Sequence, residues 1–218
     1  MGPAELCAGF GGKGRRRPAV GYGPPVPAAS PRIRPGSRRE IGWVNAGIVK
    51  ISGLVVGGDP PNIFPTLARH RVLFRRWMGF GAKLMPGGKL PRADSELVIL
   101  RVAHKTDSEY EWIQHERMAL VSGLNEEEIA RVKEGAEAPG WSPRQALILA
   151  AVDELCDSNR IGDELWEKLA REFSQVDLIE LCVLTGHYVM LAMTLNSLAV
   201  EPDPIPEPPA LLRWLSKG

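Results

Sequence analysis

Three side chains near the middle of the chain, Glu96, Glu111 and His115, are of types that move protons near neutral pH, and their spacing can bring them together. Glu96 shares one face of a helical pattern with Ile99, Leu100 and Ala103, at spacings of three, four and seven, so folding turns its carboxylate towards the core. His115, 19 residues on, lies in a second helical pattern whose face also holds Glu111, Met118, Ala119 and Ser122. Glu111 and His115 are therefore one turn apart. If the connection centres on Thr106, Glu96 stands ten residues before it and His115 nine after, and an antiparallel pair puts both at one height. A buried carboxylate would then fix the imidazole tautomer, His115 would give or take a proton, and Glu111 would stand one turn nearer the connection. The same contact can equally be a Glu–His hydrogen bond that joins two helices. His104 ends its helical pattern, where a cation is favourable. His187, among Val183, Leu184 and Leu191, is either a satisfied core histidine or a second wall of the site, and its apolar neighbours favour the first.

The elements that must position these residues are all helical. Ile41, Val44, Ile48, Ile51 and Val55 recur at spacings of three and four, a weak helix because Gly42, Gly47 and Gly53 interrupt it. A second helix runs from Asn62 or Pro65 through Leu67, Val72, Leu73, Phe74, Trp77 and Phe80 to the turn Pro86-Gly87-Gly88. Further helices are expected over Pro91 to His104, Ser108 to Ser122, Asn125 to Glu134, Pro143 to Cys156, Asp163 to Phe173, and Ser174 to Ala199. Asn125 with Glu128 and Ser174 with Asp177 have capping-box spacing, Ser142-Pro143 is an N-cap followed by proline, and Gly123 suits a left-handed helix end. No run alternates strictly, so the expected fold class is all-α.

Composition removes other classes. With 218 residues, 44% of them hydrophobic and 24% charged, the chain can bury a real core. The most apolar stretch, Leu178 to Leu198, is interrupted by Glu180, His187 and Asn196, which argues against a membrane span. Cys7, Cys156 and Cys182 are far apart and form no C-x-x-C, so neither a zinc ribbon nor a dithiol redox pair is expected, and a reducing, cytoplasmic compartment is.

Charge is uneven along the chain. Residues 1–39 hold eight basic residues against the single acid Glu5, and 15 of the 39 are Gly or Pro, so a disordered basic tail is expected there. Phe10 and Tyr22 alone offer little to stack on bases, the prolines prevent an amphipathic transit helix, and neither a nucleic-acid nor a membrane partner is expected. Residues 40–200 are the expected helical domain and 201–218 a Pro-rich extension ending in an apolar Leu-Leu-Arg-Trp-Leu patch. No phosphate loop is present, and Gly9-x-Gly11-Gly12-x-Gly14 has no helix after it.

The segment from Leu90-Pro91-Arg92 through Glu96 to Ala103-His104, followed by Glu109-Tyr110-Glu111-Trp112-Ile113-Gln114-His115, closely resembles the signature hairpin of the carboxymuconolactone decarboxylase family, which includes the alkylhydroperoxidase D-type (AhpD-like) proteins. A looser resemblance extends from about Pro61 to Val200, through Gly186-His187-Tyr188 and Leu195-Asn196, and does not cover the tail. The resemblance implies an all-helical fold, trimers or hexamers with sites close to subunit interfaces, and, in the peroxidase branch, a C-x-x-C pair aided by Glu and His. The positions of those cysteines are Ser108 and Glu111 here, so disulfide-based peroxidase activity is not expected. The hairpin with Glu111 resembles the decarboxylase branch, whose reference reaction removes CO2 from a carboxylated muconolactone without metal or cofactor. That resemblance implies His115 as proton donor, Glu96 as its orienter, Glu111 as either a second relay member or a group that keeps water positioned, and Arg92 or Arg101 as candidates to hold a substrate carboxylate, each equally readable as a solvated helix residue. Two alternatives remain open: an oxidoreductase relative that has lost the C-x-x-C, and a non-catalytic helical homo-oligomer in which Glu96 and His115 are structural.

Overall fold

The computed structural model describes residues 30–56 and 59–203, and every regular element among them is helical. In order these are α1 (Arg38–Ile41), α2 (Trp43–Val56), α3 (Ile63–Leu67), α4 (Arg71–Leu84), α5 (Arg92–Lys105), α6 (Glu109–Val121), α7 (Glu126–Val132), α8 (Pro143–Ser158), α9 (Asp163–Glu172) and α10 (Gln175–Leu198). From α5 onward the boundaries follow local start and stop chemistry. Asn125–Glu128, Ser142–Gln145 and Ser174–Asp177 all close reciprocal capping boxes, which satisfy otherwise orphaned N–H groups of α7, α8 and α10.

The body is organised around α5, which packs against α6, α7, α8 and α10. Its Leu97, Val98, Ile99, Leu100 and Val102 have no exposure at all, as expected of a helix enclosed on every side rather than a one-faced surface helix. Leu181, Leu184, Leu191 and Leu195 of α10 close the same core with Ile148, Leu149 and Val152 of α8. By length and composition α10 could cross a membrane, but half of its most apolar window is buried in this core.

The first four helices share a second, small core of Ile41, Val49, Ala68 and Phe74, while Ile63 of α3 and Leu84 of α4 join the main one. Here the structure departs from the hydrophobic periodicity. Gly42, with φ of 79°, breaks the first expected helix after Ile41. On α2, Val44 and Ile51 face outward, while Asn45 and Val49 are buried. The reason is polar: the Asn45 amide donates to the carbonyls of Ala68 and Arg71 and accepts from Arg75, so a hydrogen-bonded asparagine sets the face. The second expected helix is likewise two. His70 leaves helical geometry and its Nδ1 accepts from Leu73 N at 3.4 Å, starting α4 afresh.

Packing also begins earlier than the tail boundary drawn from composition. The Arg32 N–H and guanidinium donate to the carbonyls of Leu198 and Ser197 at the end of α10, and Gly36 N–H donates to Pro65 O. At the other end, Asp203 accepts from Asn62 N, the Tyr110 hydroxyl and the Gln114 amide. Residues 1–29 and 204–218, which hold most of the expected tail and extension, lie outside the described residues.

Candidate active site

The hairpin of α5 and α6 brings Glu96 and His115 together. His115 Nδ1 lies 2.7 Å from Glu96 Oε2, with Glu96 fully buried and His115 nearly so. Glu96 is placed by α5 being enclosed, and His115 by the tight turn at Thr106 and Asp107, which makes the two helices antiparallel. Arg92, one turn before Glu96, brings Nη2 to 2.8 Å from Glu96 Oε1, close enough for an ion pair but not aligned as a hydrogen bond. Its guanidinium also meets the sulfurs of Met85 and Met118, at 3.0 and 3.4 Å.

Glu111 lies one turn before His115 on α6, and neither of its carboxyl oxygens has a hydrogen-bond partner. Burial pushes its pKa up to about 8, and the nearby Ser108 hydroxyl opposes this only in part. At neutral pH Glu111 is therefore mostly the uncharged acid, a proton donor in a dry place beside an imidazole–carboxylate pair.

A wall of aromatic rings continues from His115. Tyr188 of α10 meets the His115 ring edge-on at 5.1 Å and the His187 ring at 5.4 Å. Trp77 of α4 stacks on His187 at 6.2 Å, and Phe80 meets it edge-on at 5.3 Å. Burial lowers the pKa of His187, favouring neutral imidazole, while burial and the charges of Glu96 and Glu111 raise that of Tyr188, so its hydroxyl stays protonated. His187 Nδ1 and Trp77 Nε1 are buried without partners. His187 is thus buried among Trp77, Phe80 and Tyr188, with its Nδ1 unpartnered.

Arg101 lies elsewhere. Near the other end of α5, its Nε and Nη2 bind Asp153 and its Nη1 donates to the carbonyls of Val132 and Lys133. Cys156 lies at that end too, within reach of the charges of Lys105, Asp153 and Arg101, and burial raises its thiol pKa to about 11. Cys156 is thus an unactivated thiol away from His115. A surface groove of about 300 Å3 beside α6 is lined by Trp112, Glu116, Arg117 and Lys133, and neither Glu111 nor His115 lines it. Among the described residues no three His, Cys, Asp or Glu side chains gather as metal ligands.

Sequence reasoning left out Trp77, Phe80 and Tyr188. For Tyr188 a signal existed: it falls on the core stripe of α10 with Leu184, Leu191 and Leu195, and a buried phenol needs a polar neighbour. Trp77 and Phe80 carried none, because their approach to His187 depends on how α4 crosses α10.

Residues 72–154 match the sequence model of the carboxymuconolactone decarboxylase family. No protein of curated function matches the chain in sequence. Among solved structures, the chain resembles an uncharacterized peroxidase-related protein from Silicibacter sp. TM1040 at 17% identity, with a TM-score of 0.67, over 88% of this chain and 96% of that one. It also resembles the alkylhydroperoxidase AhpD core of a peroxidase-related protein from Ralstonia eutropha JMP134, at 18% identity and TM-score 0.66, over 78% of this chain and 93% of that one. A third is the debrominase Bmp8 in complex with 2,3,4-tribromopyrrole, at 14% identity and TM-score 0.65, over 85% of this chain and 96% of that one. At these identities the likeness is one of fold: all-α and AhpD-like.

Proposed function

From a chain whose residues 72–154 carry a carboxymuconolactone decarboxylase-family segment, we propose an enzyme that performs acid–base proton transfer at carbon on a small carboxylated or lactone substrate, with decarboxylation as one form of that chemistry. The observation that carries this reading is the buried 2.7 Å contact of His115 with Glu96, beside a Glu111 carboxyl without partners. Glu96 orients the His115 ring through Nδ1, which leaves Nε2 for the substrate. His115 takes a proton from carbon next to a carbonyl, or gives one to the carbanion left when CO2 departs. Glu111, as the neutral acid, donates a hydrogen bond to the oxygen on which negative charge collects, while Glu96 is taken up by His115 and Arg92.

A thiol-based peroxidase has less support, since Ser108 and Glu111 occupy the hairpin and Cys156 is an unactivated thiol at the far end of α5. The working protein would be a cytoplasmic homo-oligomer, a trimer or hexamer. Val176, Ile179, Val183, Met190 and Met193 support association: these exposed apolar residues repeat at threes, fours and sevens along the outer face of α10.

A panel of unsaturated lactones and their carboxylates, assayed for CO2 release and for deuterium uptake from D2O, tests the reading. His115→Ala should lower turnover by roughly 100-fold or more in protein that is still folded, and should also lower the melting temperature, because the buried Glu96 loses its hydrogen-bond partner. The rate should fall as pH rises through about 8, where Glu111 loses its proton. Full turnover by His115→Ala would sink the proposal.

A further inference from the structure

The Arg92 guanidinium points its aligned N–H groups at the weakest acceptors within its reach. Nη1 donates to the Met85 sulfur at 3.0 Å and Nη2 to the Met118 sulfur at 3.4 Å. Glu96 Oε1 lies nearer to Nη2, at 2.8 Å, yet it is not aligned with an N–H group and accepts no hydrogen bond, although it is a buried carboxylate oxygen. A thioether sulfur is a weak acceptor and a carboxylate a strong one, so the position of Arg92 is a balance rather than a lock.

Three segments distant in sequence meet at this cation. Met85 directly follows α4, Arg92 opens α5 one turn before Glu96, and Met118 stands on α6 one turn after His115. The Arg92 side chain is 38% exposed and both methionines are partly exposed, so the cluster opens to water on one side, while Glu96 is fully buried on the other. A thioether that meets water also meets oxidants. Its sulfur lone pair attacks one oxygen of a hydroperoxide, and the S–O bond forms as the O–O bond breaks. The proton of the transferred oxygen passes to the departing one, which leaves as water or an alcohol. The sulfur is oxidised by two electrons and the peroxide is reduced by the same two. At 3.0 Å no room exists for the new oxygen between the Met85 sulfur and Nη1, so it adds on the water side, and its strong acceptor then draws the guanidinium outward.

We propose that Met85 and Met118 are an oxidation site that sets the charge around Glu96: hydroperoxide converts both thioethers to sulfoxides, which draw Arg92 away from Glu96 Oε1 and leave the buried carboxylate to His115. The modification and its effect on the Glu96–His115 contact stand on the Arg92 geometry. Only the consequence for turnover rests on the proton-transfer reading.

The test treats the full-length protein with hydrogen peroxide and follows it by peptide mass analysis and by spectra of 15N-histidine protein. Met85 and Met118 should each gain one oxygen, about 16 Da, by the time the more exposed Met190 and Met193 are oxidised. The His115 Nδ1–H proton signal should then move downfield, because a carboxylate without its arginine accepts more strongly. In the double variant Met85→Leu with Met118→Leu, which conserves side-chain volume, peroxide should leave that signal in place although Met190 and Met193 still oxidise. Should the double variant fold poorly, Met118→Gln, which offers Arg92 an amide oxygen, should move the signal without any oxidant. Turnover should fall several-fold when the wild-type protein is oxidised and should not respond to peroxide in the double variant. Sulfurs of Met85 and Met118 that stay reduced once Met190 and Met193 are fully oxidised, or an equal displacement of the His115 signal in both proteins, overturn the proposal. A displaced signal with undiminished turnover instead removes the proton-transfer reading and leaves the oxidation site standing.

Discussion

The two ends of α5 bury charge in opposite ways. Towards the C-terminus, Arg101 is saturated: Asp153 takes Nε and Nη2, and Val132 and Lys133 take Nη1. Gly135, at φ of 100° just past α7, allows this, because a Cβ there would stand 2.9 Å from Arg101 Nη2. Towards the N-terminus, Glu96 has a histidine and an imperfectly aligned arginine, and Glu111 has nothing. A saturated network fixes α5 to α7 and α8 and has no capacity left for a ligand. An unsaturated one costs stability and keeps its capacity, which is the expected signature of a working site.

The comparison breaks most visibly if Arg101 proves dispensable. Arg101→Met should lower stability by about 4 kcal/mol, read by urea unfolding, because Asp153 and two carbonyls lose their donor together. Pairing it with Asp153→Leu should recover much of that loss. A mild effect of the single change would show the pin to be ornamental.

Next in size is the pH dependence at the other end. The Glu111 carboxyl is held near 8 in the fold, against an ordinary value of 4.5, so the folded state binds the extra proton between those values. Stability should therefore be highest below about 4.5 as far as this group is concerned, fall by on the order of 3 kcal/mol between about pH 5.5 and 8, and level off above that. Glu111→Gln, which cannot ionise, should flatten that slope in melts across pH 5 to 9. An unchanged slope would mean that Glu111 finds a partner in solution.

The smallest effect sharpens the contrast at the rim of the pin. Lys105 meets Asp157 at 2.8 Å with the aspartate largely exposed, so Lys105→Ala should change stability by no more than about 0.5 kcal/mol. A loss comparable to that of Arg101→Met would mean that exposed charge, rather than saturation of buried donors, holds this end together.

The sequence was legible where local chemistry decides the outcome. Capping-box spacing at Asn125 and Ser174 and the Ser142-Pro143 N-cap placed three helix starts, and the apolar spacing around Glu96 placed its carboxylate in the core. The Glu96–His115 contact was legible too, since a short connection between two helices leaves little choice of height. The packing of the first four helices was not. The face of α2 is set by Asn45 reaching carbonyls more than 20 residues away, and periodicity weighs Val44 and Ile51 without knowing of that bond.

By itself, then, the amino-acid sequence determined the all-α class, the helices from α5 onward and the residue pair at the hairpin, because capping and periodicity act within a few turns of one chain. Only the tertiary structure decided which charges are free. Arg92 and Arg101 have the same chemistry in the sequence, yet one is drawn to Glu96 beside the site and the other pinned to Asp153 near the far end of α5. The crossing of α4 over α10, not any motif, brought Trp77 and Phe80 to His187. Contacts between distant segments depend on how whole helices pack, and helix packing is a property of the complete core rather than of any single stretch.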